Sequence, residues 1–388
     1  MDRMPLRILL PSIVDPAVHR GGAETVTRAL LKLLRQDPLS ARVEFVLPTS
    51  ALGRFHRLRQ LTSVARSFIS PLPAKAIFTY SRRFLHAVKQ LLREQKFDLV
   101  LLNGSDLLWL LPELPPSIPR ILFAHNIEHR LFLSQINSLG LPSRLLRHVL
   151  LRDWRRLQKY EMSGMRRIKN TIFLSNQDAE FALRECPDLR ALVVPPLFDY
   201  PPLEQLRAKD LTDSLQIGFL ANFGWWPNRE GLRWFLREVF PYTDANLRLH
   251  LFGRQSRTAA PRHPRIVHHG FLSQPRDIWP LCDFMICPIL SGGGVKIKFA
   301  EALYNGVPVL ANSFAARGLA LASDPSIVLL DHAEEWVRFL RSPAALELRS
   351  RRVPVSLAST FRLESHTESV QTFIHDVIQY DMSRPSAC

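Results

Sequence analysis

Short apolar runs alternate with amphipathic helical segments along the whole chain. In the N-terminal half, runs of this kind predict buried strands at 7–14, 42–48, 97–103, 120–124, 170–174 and 192–196. Helical spacing follows the first run, where Val26, Leu30 and Leu33 recur on one face. Strands that alternate with helices in this way predict a parallel sheet covered by helices.

The same alternation starts again after the proline-rich segment 195–202, which we interpret as a linker. Later runs predict strands at 215–220, 247–252, 266–268 and 284–288 and from Val307 to Leu310. The pattern predicts an α/β protein of two Rossmann-like domains with a cleft between them. We place the N-terminal domain at 1–196 and the C-terminal domain at 197–360. The segment 361–380 holds a last amphipathic helix that we expect to pack back on the N-terminal domain.

The stretch from Cys287 to Leu319 carries the clearest candidate chemistry. It begins at the end of a predicted strand and continues into the glycine loop 292–294, followed by two lysines. A predicted helix opens near Val295 and carries Glu301. A glycine loop that leads into a helix N-terminus offers unpaired N–H groups and the positive end of the helix dipole, which together suit a phosphate. We therefore predict that a nucleotide diphosphate binds here.

Two places in the N-terminal half lie where ligands of parallel sheets bind, at the carboxyl ends of strands. Gly21 and Gly22 separate the first strand from its helix, but they match neither established phosphate-loop pattern, so a plain tight turn is an equal alternative. His125 directly follows the strand 120–124. On the residues alone, a ligand-binding role and a structural role for His125 both stay open.

The five residues from His125 to His129 match H-x-x-E-H, a metalloprotease signature. That signature needs a helix that presents both histidines on one face, whereas the first histidine here ends a predicted strand. Because short motifs also match by chance, we expect no zinc site. The four cysteines form no C-x-x-C pair, so we expect reduced thiols and neither a disulfide nor a structural metal.

Charge distinguishes the two halves of this 388-residue chain. Residues 1–195 carry 30 Lys and Arg against 16 Asp and Glu, and residues 196–388 carry 21 against 19, so that +14 of the net charge of +16 lies in the N-terminal half. A field of this sign attracts nucleic acid, an anionic membrane surface or an anionic substrate. Nucleic acid is disfavoured, because the charge is not interleaved with aromatic residues in a recognisable motif.

The segment 130–169 has ten Lys and Arg against two acidic residues, together with regularly placed apolar residues. Helices of this kind lie on anionic membranes, although a solvated helix with its apolar side in the core gives the same pattern. No apolar run reaches the length of a membrane span, and the segment from Leu6 to Val14 lacks the composition of a signal peptide. We therefore expect a cytoplasmic protein, peripheral at the inner face of the cytoplasmic membrane if its basic half binds lipid.

The order of these pieces resembles the retaining glycosyltransferases of family 4. The similarity covers most of the chain and is most specific in 215–319, in FGWWPNREGLRWF, LFGR, VHHGFL and DFMICPILSGGGVKIKFAEALYNGVPVLA. GGAE and the strand-end His-Asn-x-Glu also look like motifs of that family. The resemblance implies the GT-B fold and transfer of a sugar from a nucleotide diphosphate sugar to a glycan or glycolipid acceptor. It implies no cofactor and no metal, in keeping with the absence of an Asp-x-Asp motif from the sequence.

The resemblance also implies roles for individual residues. Glu301 matches the second glutamate of the family's paired-glutamate motif and would bind the ribose hydroxyls. Arg254 and Lys298 would neutralise the diphosphate and His125 would face the donor sugar, which makes these three the predicted catalytic residues. The other predicted donor-binding residues are Gly21, Gly22, Gly253, Phe271, Ser291, Gly292, Gly293, Gly294, Val295 and Lys296.

Two departures from the family pattern qualify these roles. The first glutamate of the pair falls at Gly293, so the loop would serve the sugar through backbone groups. The family's arginine and lysine near the start of the second domain fall at Asn222 and Asn228, so phosphate charge would come from Arg254 and the two loop lysines. We expect a retaining glycosyltransferase of cell-surface polysaccharide or glycolipid synthesis. A nucleotide-sugar epimerase of the same fold and a non-catalytic nucleotide-sugar-binding relative are the alternatives.

Overall fold

The computed structural model of the chain describes residues 5–18, 21–37, 39–48, 56–138, 144–203, 214–321 and 323–382. The chain divides into two compact units, each built on a parallel six-stranded sheet. The first unit groups residues 1–17, 27–194 and 366–388, and the second groups 18–26 and 195–365. No helix in these described ranges is long and apolar enough to cross a membrane.

The sheet of the first unit has the strand order β2-β1-β3-β4-β5-β6. Its strands are β1 (Arg7–Pro11), β2 (Arg42–Val46), β3 (Leu99–Asn103), β4 (Arg120–Ala124), β5 (Asn170–Phe173) and β6 (Arg190–Val193). All six were predicted, and β3 is buried along its whole length, as strands covered on both faces are. The helices between them are α1 (Gly22–Arg35), α2 (His56–Ser67), α3 (Ala74–Thr79), α4 (Arg82–Glu94), α5 (Glu128–Ser138), α6 (Arg144–Ile168) and α7 (Asn176–Glu185).

The sheet of the second unit has the order β12-β11-β10-β7-β8-β9. Its strands are β7 (Leu215–Leu220), β8 (Leu247–Phe252), β9 (Ile266–Gly270), β10 (Phe284–Cys287), β11 (Val309–Ala311) and β12 (Ile327–Leu329). The sequence pattern missed β12, because three residues at a sheet edge are too few to show a periodicity. The helices are α8 (Trp226–Trp234), α9 (Ser256–Ala259), α10 (Ile297–Tyr304), α11 (Ser313–Ala316), α12 (Ala333–Leu340), α13 (Pro343–Ser350) and α14 (Val355–Ser359).

The proline-rich segment 195–202 is packed into the second unit. Phe198 is buried, and its backbone N–H donates a hydrogen bond to the carbonyl oxygen of Phe361 at 3.3 Å. Prolines in this segment therefore accompany an extended, ordered stretch of chain.

The last helix, α15 (Thr367–Met382), begins inside the segment 361–380, where the sequence pattern predicts a last helix, and groups with the first unit. Gln36 Nε2, just after α1, donates to Thr367 Oγ1 at 3.4 Å. Arg190 lies 3.7 Å from Asp376 and stacks over the ring of Tyr380. These contacts hold α15 on the first unit at the end of α1 and at β6.

Candidate active site

Loops at the carboxyl ends of β7, β8 and β10, three adjacent strands, form one edge of the second unit's sheet. This is the edge at which parallel sheets bind ligands. The loops after β8 and β10 contain most of the predicted donor-binding residues.

The glycine loop after β10 has a backbone that needs glycine. Gly292 and Gly294 have φ angles of 109° and 61°, in the left-handed region. The loop ends at Lys296, the N-cap residue of α10, whose side chain has no acceptor for the N–H groups of the first helical turn. Its ammonium instead donates to the carbonyl oxygens of Gly293 at 3.3 Å and Gly294 at 2.8 Å. Lys296 therefore stabilises the turn of the loop.

Lys298 lies in the first turn of α10, and its ammonium donates a hydrogen bond to Oδ1 of Asn228 on α8. Asn228 Nδ2 in turn donates to the carbonyl oxygen of Asn222 at 2.8 Å. Burial lowers the pKa of Lys298 to about 8, and the nearby Cys287 opposes this shift. Hydrogen bonds thus join Lys298 on α10 to Asn228 on α8, and Asn228 to Asn222 in the loop after β7. Asn222 and Asn228 are the two positions where asparagine replaces a basic residue of the family pattern.

The loop after β8 meets the loop after β7 closely. At Gly253, with φ of 110°, a Cβ would lie 2.1 Å from the carbonyl oxygen of Ala221, so only glycine fits there. Arg254 follows, and its guanidinium lies 5.4 Å from the ring centroid of Phe271, whose side chain is 49% exposed. Arg254 and Phe271 are therefore neighbours, as a shared role in donor binding requires.

Glu301 is held by a tyrosine that the sequence pattern did not indicate. The Tyr200 hydroxyl donates to Glu301 Oε1 at 2.9 Å and accepts from Asn305 Nδ2 at 3.1 Å. Burial and the neighbouring Glu301 raise the pKa of Tyr200, which keeps it a hydroxyl. Tyr200 lies in the segment interpreted as a linker, where composition gave no sign of a role beside α10.

Glu230 on α8 is a second carboxylate that sequence reasoning missed. It accepts a hydrogen bond from the hydroxyl of Ser291, directly before the glycine loop. No local motif relates these two positions, because they are far apart in the sequence.

Gly21 and Gly22 group with the second unit. A Cβ at Gly22 would come within 2.4 Å of Cδ1 of Ile297, the first residue of α10. A side chain at this position would force Ile297 to shift, which is a reason for glycine here without a ligand as well as with one.

His125 lies in the first unit, at the end of β4. Its Nε2 lies 2.8 Å from Asn103 Oδ1, and Asn103 Nδ2 donates to Ser12 Oγ and Thr27 Oγ1. Burial lowers the pKa of His125 to about 4, so the ring is neutral at pH 7. A neutral ring that donates from Nε2 to an amide oxygen keeps an acceptor at Nδ1. The predicted contact of His125 with a donor sugar stays a prediction.

The other histidine of the H-x-x-E-H match contacts a different partner. His129 Nδ1 lies 2.7 Å from Oε2 of Glu161, which is fully buried. The glutamate of the match, Glu128, forms an ion pair with Lys75, which also lies 3.3 Å from Asp106. Burial raises the pKa of Asp106 to about 6. Within the described ranges, no three His, Cys, Asp or Glu side chains are arranged to hold a metal ion.

Two Rossmann-like units, the second with glycines and lysines at the ligand-binding edge of its sheet, define the class of GT-B proteins. The protein-family model described as "Glycosyl transferases group 1" matches residues 214–338 of the chain. The family model described as "Glycosyltransferase Family 4" matches residues 20–200. These matches, together with the fold, identify the chain as a GT-B glycosyltransferase.

Solved structures of low sequence identity share the fold. Sucrose-phosphate synthase from Thermosynechococcus elongatus is 15% identical, with a TM-score of 0.67 over 97% of this chain and 100% of that chain. Anabaena HepE in complex with UDP-glucose is 15% identical, with a TM-score of 0.62 over 96% and 100%. WaaG, a glycosyltransferase of lipopolysaccharide biosynthesis, is 13% identical, with a TM-score of 0.58 over 97% and 100%. A search of curated protein sequences finds no match.

Proposed function

We propose that this protein is a retaining hexosyltransferase that moves a sugar from a nucleotide diphosphate sugar to an acceptor hydroxyl. The observation that carries the proposal is the position of Lys298. This lysine lies in the first turn of α10, just after the glycine loop, and its ammonium contacts Asn228 of α8. The complex of Anabaena HepE with UDP-glucose supports a nucleotide sugar as the donor class.

In the proposed reaction, the bond between the anomeric carbon and the diphosphate oxygen breaks, and the acceptor oxygen bonds to that carbon from the same face. The departing phosphate takes the acceptor proton. Negative charge grows on the diphosphate as the bond breaks, so Lys298, Arg254 and the N–H groups of α10 act mainly on the transition state. Glu301, oriented by Tyr200, binds the ribose hydroxyls. No metal is required, because cationic side chains neutralise the leaving group.

A panel of nucleotide sugars in a thermal-shift assay tests the donor class. We expect one or more UDP, GDP or ADP sugars to raise the melting temperature, because a ligand at 100 times its Kd adds about 2.7 kcal/mol to stability. The matching free sugars serve as controls and should give no shift. A flat response to every nucleotide sugar contradicts the proposal. A bound donor sugar that changes configuration without an acceptor would instead indicate an epimerase. A bound donor that stays intact in the presence of every acceptor would indicate a non-catalytic binding protein.

We also propose that the first unit binds an anionic lipid surface, which would present a glycolipid acceptor. Two exposed apolar pairs, Phe68 with Ile69 and Leu145 with Leu146, form with Arg152 an apolar-basic patch. Ile69 is 90% exposed and Leu145 is 75% exposed.

The patch is continuous across two elements. The guanidinium of Arg152 lies 4.6 Å from the ring centroid of Phe68, and Arg156 donates to carbonyl oxygens of the turn at 67–72. Leu145 lies seven residues before Arg152 on α6, and hence on the same side of the helix. Exposed apolar side chains beside arginines match the apolar and anionic layers of a membrane surface.

Vesicle flotation tests this surface. We expect the double variant Ile69→Ser/Leu145→Ser to lose about tenfold or more in binding to phosphatidylglycerol vesicles, because each side chain buries apolar area in the lipid. The control Leu346→Ser/Val355→Ser changes two similarly exposed residues of the second unit and should bind as the wild type does. Equal flotation of wild type with zwitterionic and anionic vesicles would refute the proposal.

A further inference from the structure

The helix α8 lies directly against the loop that follows β10. A Cβ at Gly231 would lie 1.7 Å from the carbonyl oxygen of Pro288, and a Cβ at Gly292 would lie 3.4 Å from Pro227. At Gly231 the backbone of the loop therefore lies too close to α8 for a side chain, and at Gly292 the loop is in ordinary van der Waals contact with Pro227.

Two polar side chains in the first turns of α8 contact α10 and the loop. Asn228 accepts from the ammonium of Lys298, and Glu230 accepts from the hydroxyl of Ser291. Ser291 is buried, whereas Glu230 is only half-buried. Each carboxylate oxygen accepts two hydrogen bonds, so the contact with Ser291 leaves capacity for ligand hydroxyls.

The loop itself has no carboxylate, since glycine occupies the position of the first glutamate of the family's paired motif, at Gly293. We propose that Glu230 supplies this missing carboxylate from α8 and binds hydroxyls of the donor sugar beside the glycine loop. The inference rests on the proposed glycosyltransferase function and deepens it. A carboxylate here favours a neutral hexose, and it repels a sugar that carries a carboxylate of its own.

The test compares binding of UDP and of UDP sugars to wild type and to Glu230→Gln. Glutamine keeps the side-chain length and can still accept from Ser291, so the loop is preserved while the charge is removed. We expect the affinity of Glu230→Gln for the wild type's best neutral UDP-hexose to fall about tenfold to a hundredfold, the range for a charged hydrogen bond. Affinity for UDP, which has no sugar, should stay within about twofold. The preference for a neutral hexose over a uronic acid donor should narrow.

Ser291→Ala is the matched control. It removes the partner of Glu230 but no charge, so a role of Glu230 confined to holding the loop predicts a loss of affinity in Ser291→Ala and little or no loss in Glu230→Gln. Equal weakening of UDP and UDP-hexose in Glu230→Gln, or no change in either, overturns the assignment while the proposed function stands. If wild type binds neither UDP nor any nucleotide sugar, both proposals fail.

Discussion

Replacement of Lys298 by alanine is expected to lower kcat for glycosyl transfer by about a hundredfold or more, the loss typical of removing one donor to a developing charge. Lys298 lies in the first turn of α10, and its ammonium donates to Asn228 of α8. In the proposed reaction, the diphosphate gains negative charge beside this ammonium. The fold should persist, because the variant removes one hydrogen bond to Asn228, a cost of about 1–3 kcal/mol, and one contact with the ring of Phe219. Steady-state kinetics together with circular dichroism measure both effects.

A matched control is Lys89→Ala. Lys89 is a partly exposed lysine of the first unit that pairs with Glu113, and its loss should leave kcat unchanged. Transfer by Lys298→Ala at the wild-type rate would remove this lysine from the mechanism.

The lowered pKa of Lys298 also predicts that kcat/KM depends on pH. Burial lowers this pKa to about 8, so the ammonium is present below pH 8 and is lost as the pH rises through that value. Since kcat/KM reports the groups of the free enzyme, it should fall above about pH 8 in the wild type. In Lys298→Arg the guanidinium stays charged, so whatever activity remains should not decline there. A wild-type profile that is flat to pH 9.5 would contradict the assignment.

The sequence predicts most of the fold because apolar runs and helical spacing are local signals. It indicates the strands of the first unit and five of the six in the second, and it fails at β12, whose three partly exposed residues carry no period. The glycine loop was visible for a similar reason, since its residues are contiguous.

The contacts around that loop were not visible, because they join distant segments. Glu230 meets Ser291, and Tyr200 meets Glu301, only once α8 and the segment 195–202 have packed beside α10. Prolines at 195–202 favour an extended chain, but they do not reveal whether that chain is solvated or packed. The roles of the two histidines of H-x-x-E-H were hidden for the same reason, because their hydrogen-bond partners Asn103 and Glu161 lie in distant segments.

Glu161→Ala is expected to destabilise the first unit by roughly 3–5 kcal/mol, because it leaves three buried donors without their acceptor at about 1–3 kcal/mol each, partly relieved by relaxation. The carboxylate of Glu161 is fully buried on α6 and accepts from the backbone N–H groups of Glu128 and His129 at 2.9 Å and 3.1 Å, and from His129 Nδ1. Alanine would leave these three donors buried without this acceptor, including the first two N–H groups of α5.

Melting temperature and amide hydrogen exchange at α5 measure this loss. The conservative variant Glu161→Gln keeps one acceptor and should lose less, whereas Glu180→Ala, at an exposed position of α7, should melt as the wild type does. Because His125 precedes α5 by only three residues, fraying of that helix should also lower transfer activity, although Glu161 touches no predicted site residue. Wild-type melting and exchange in Glu161→Ala would show that α5 is held by other contacts.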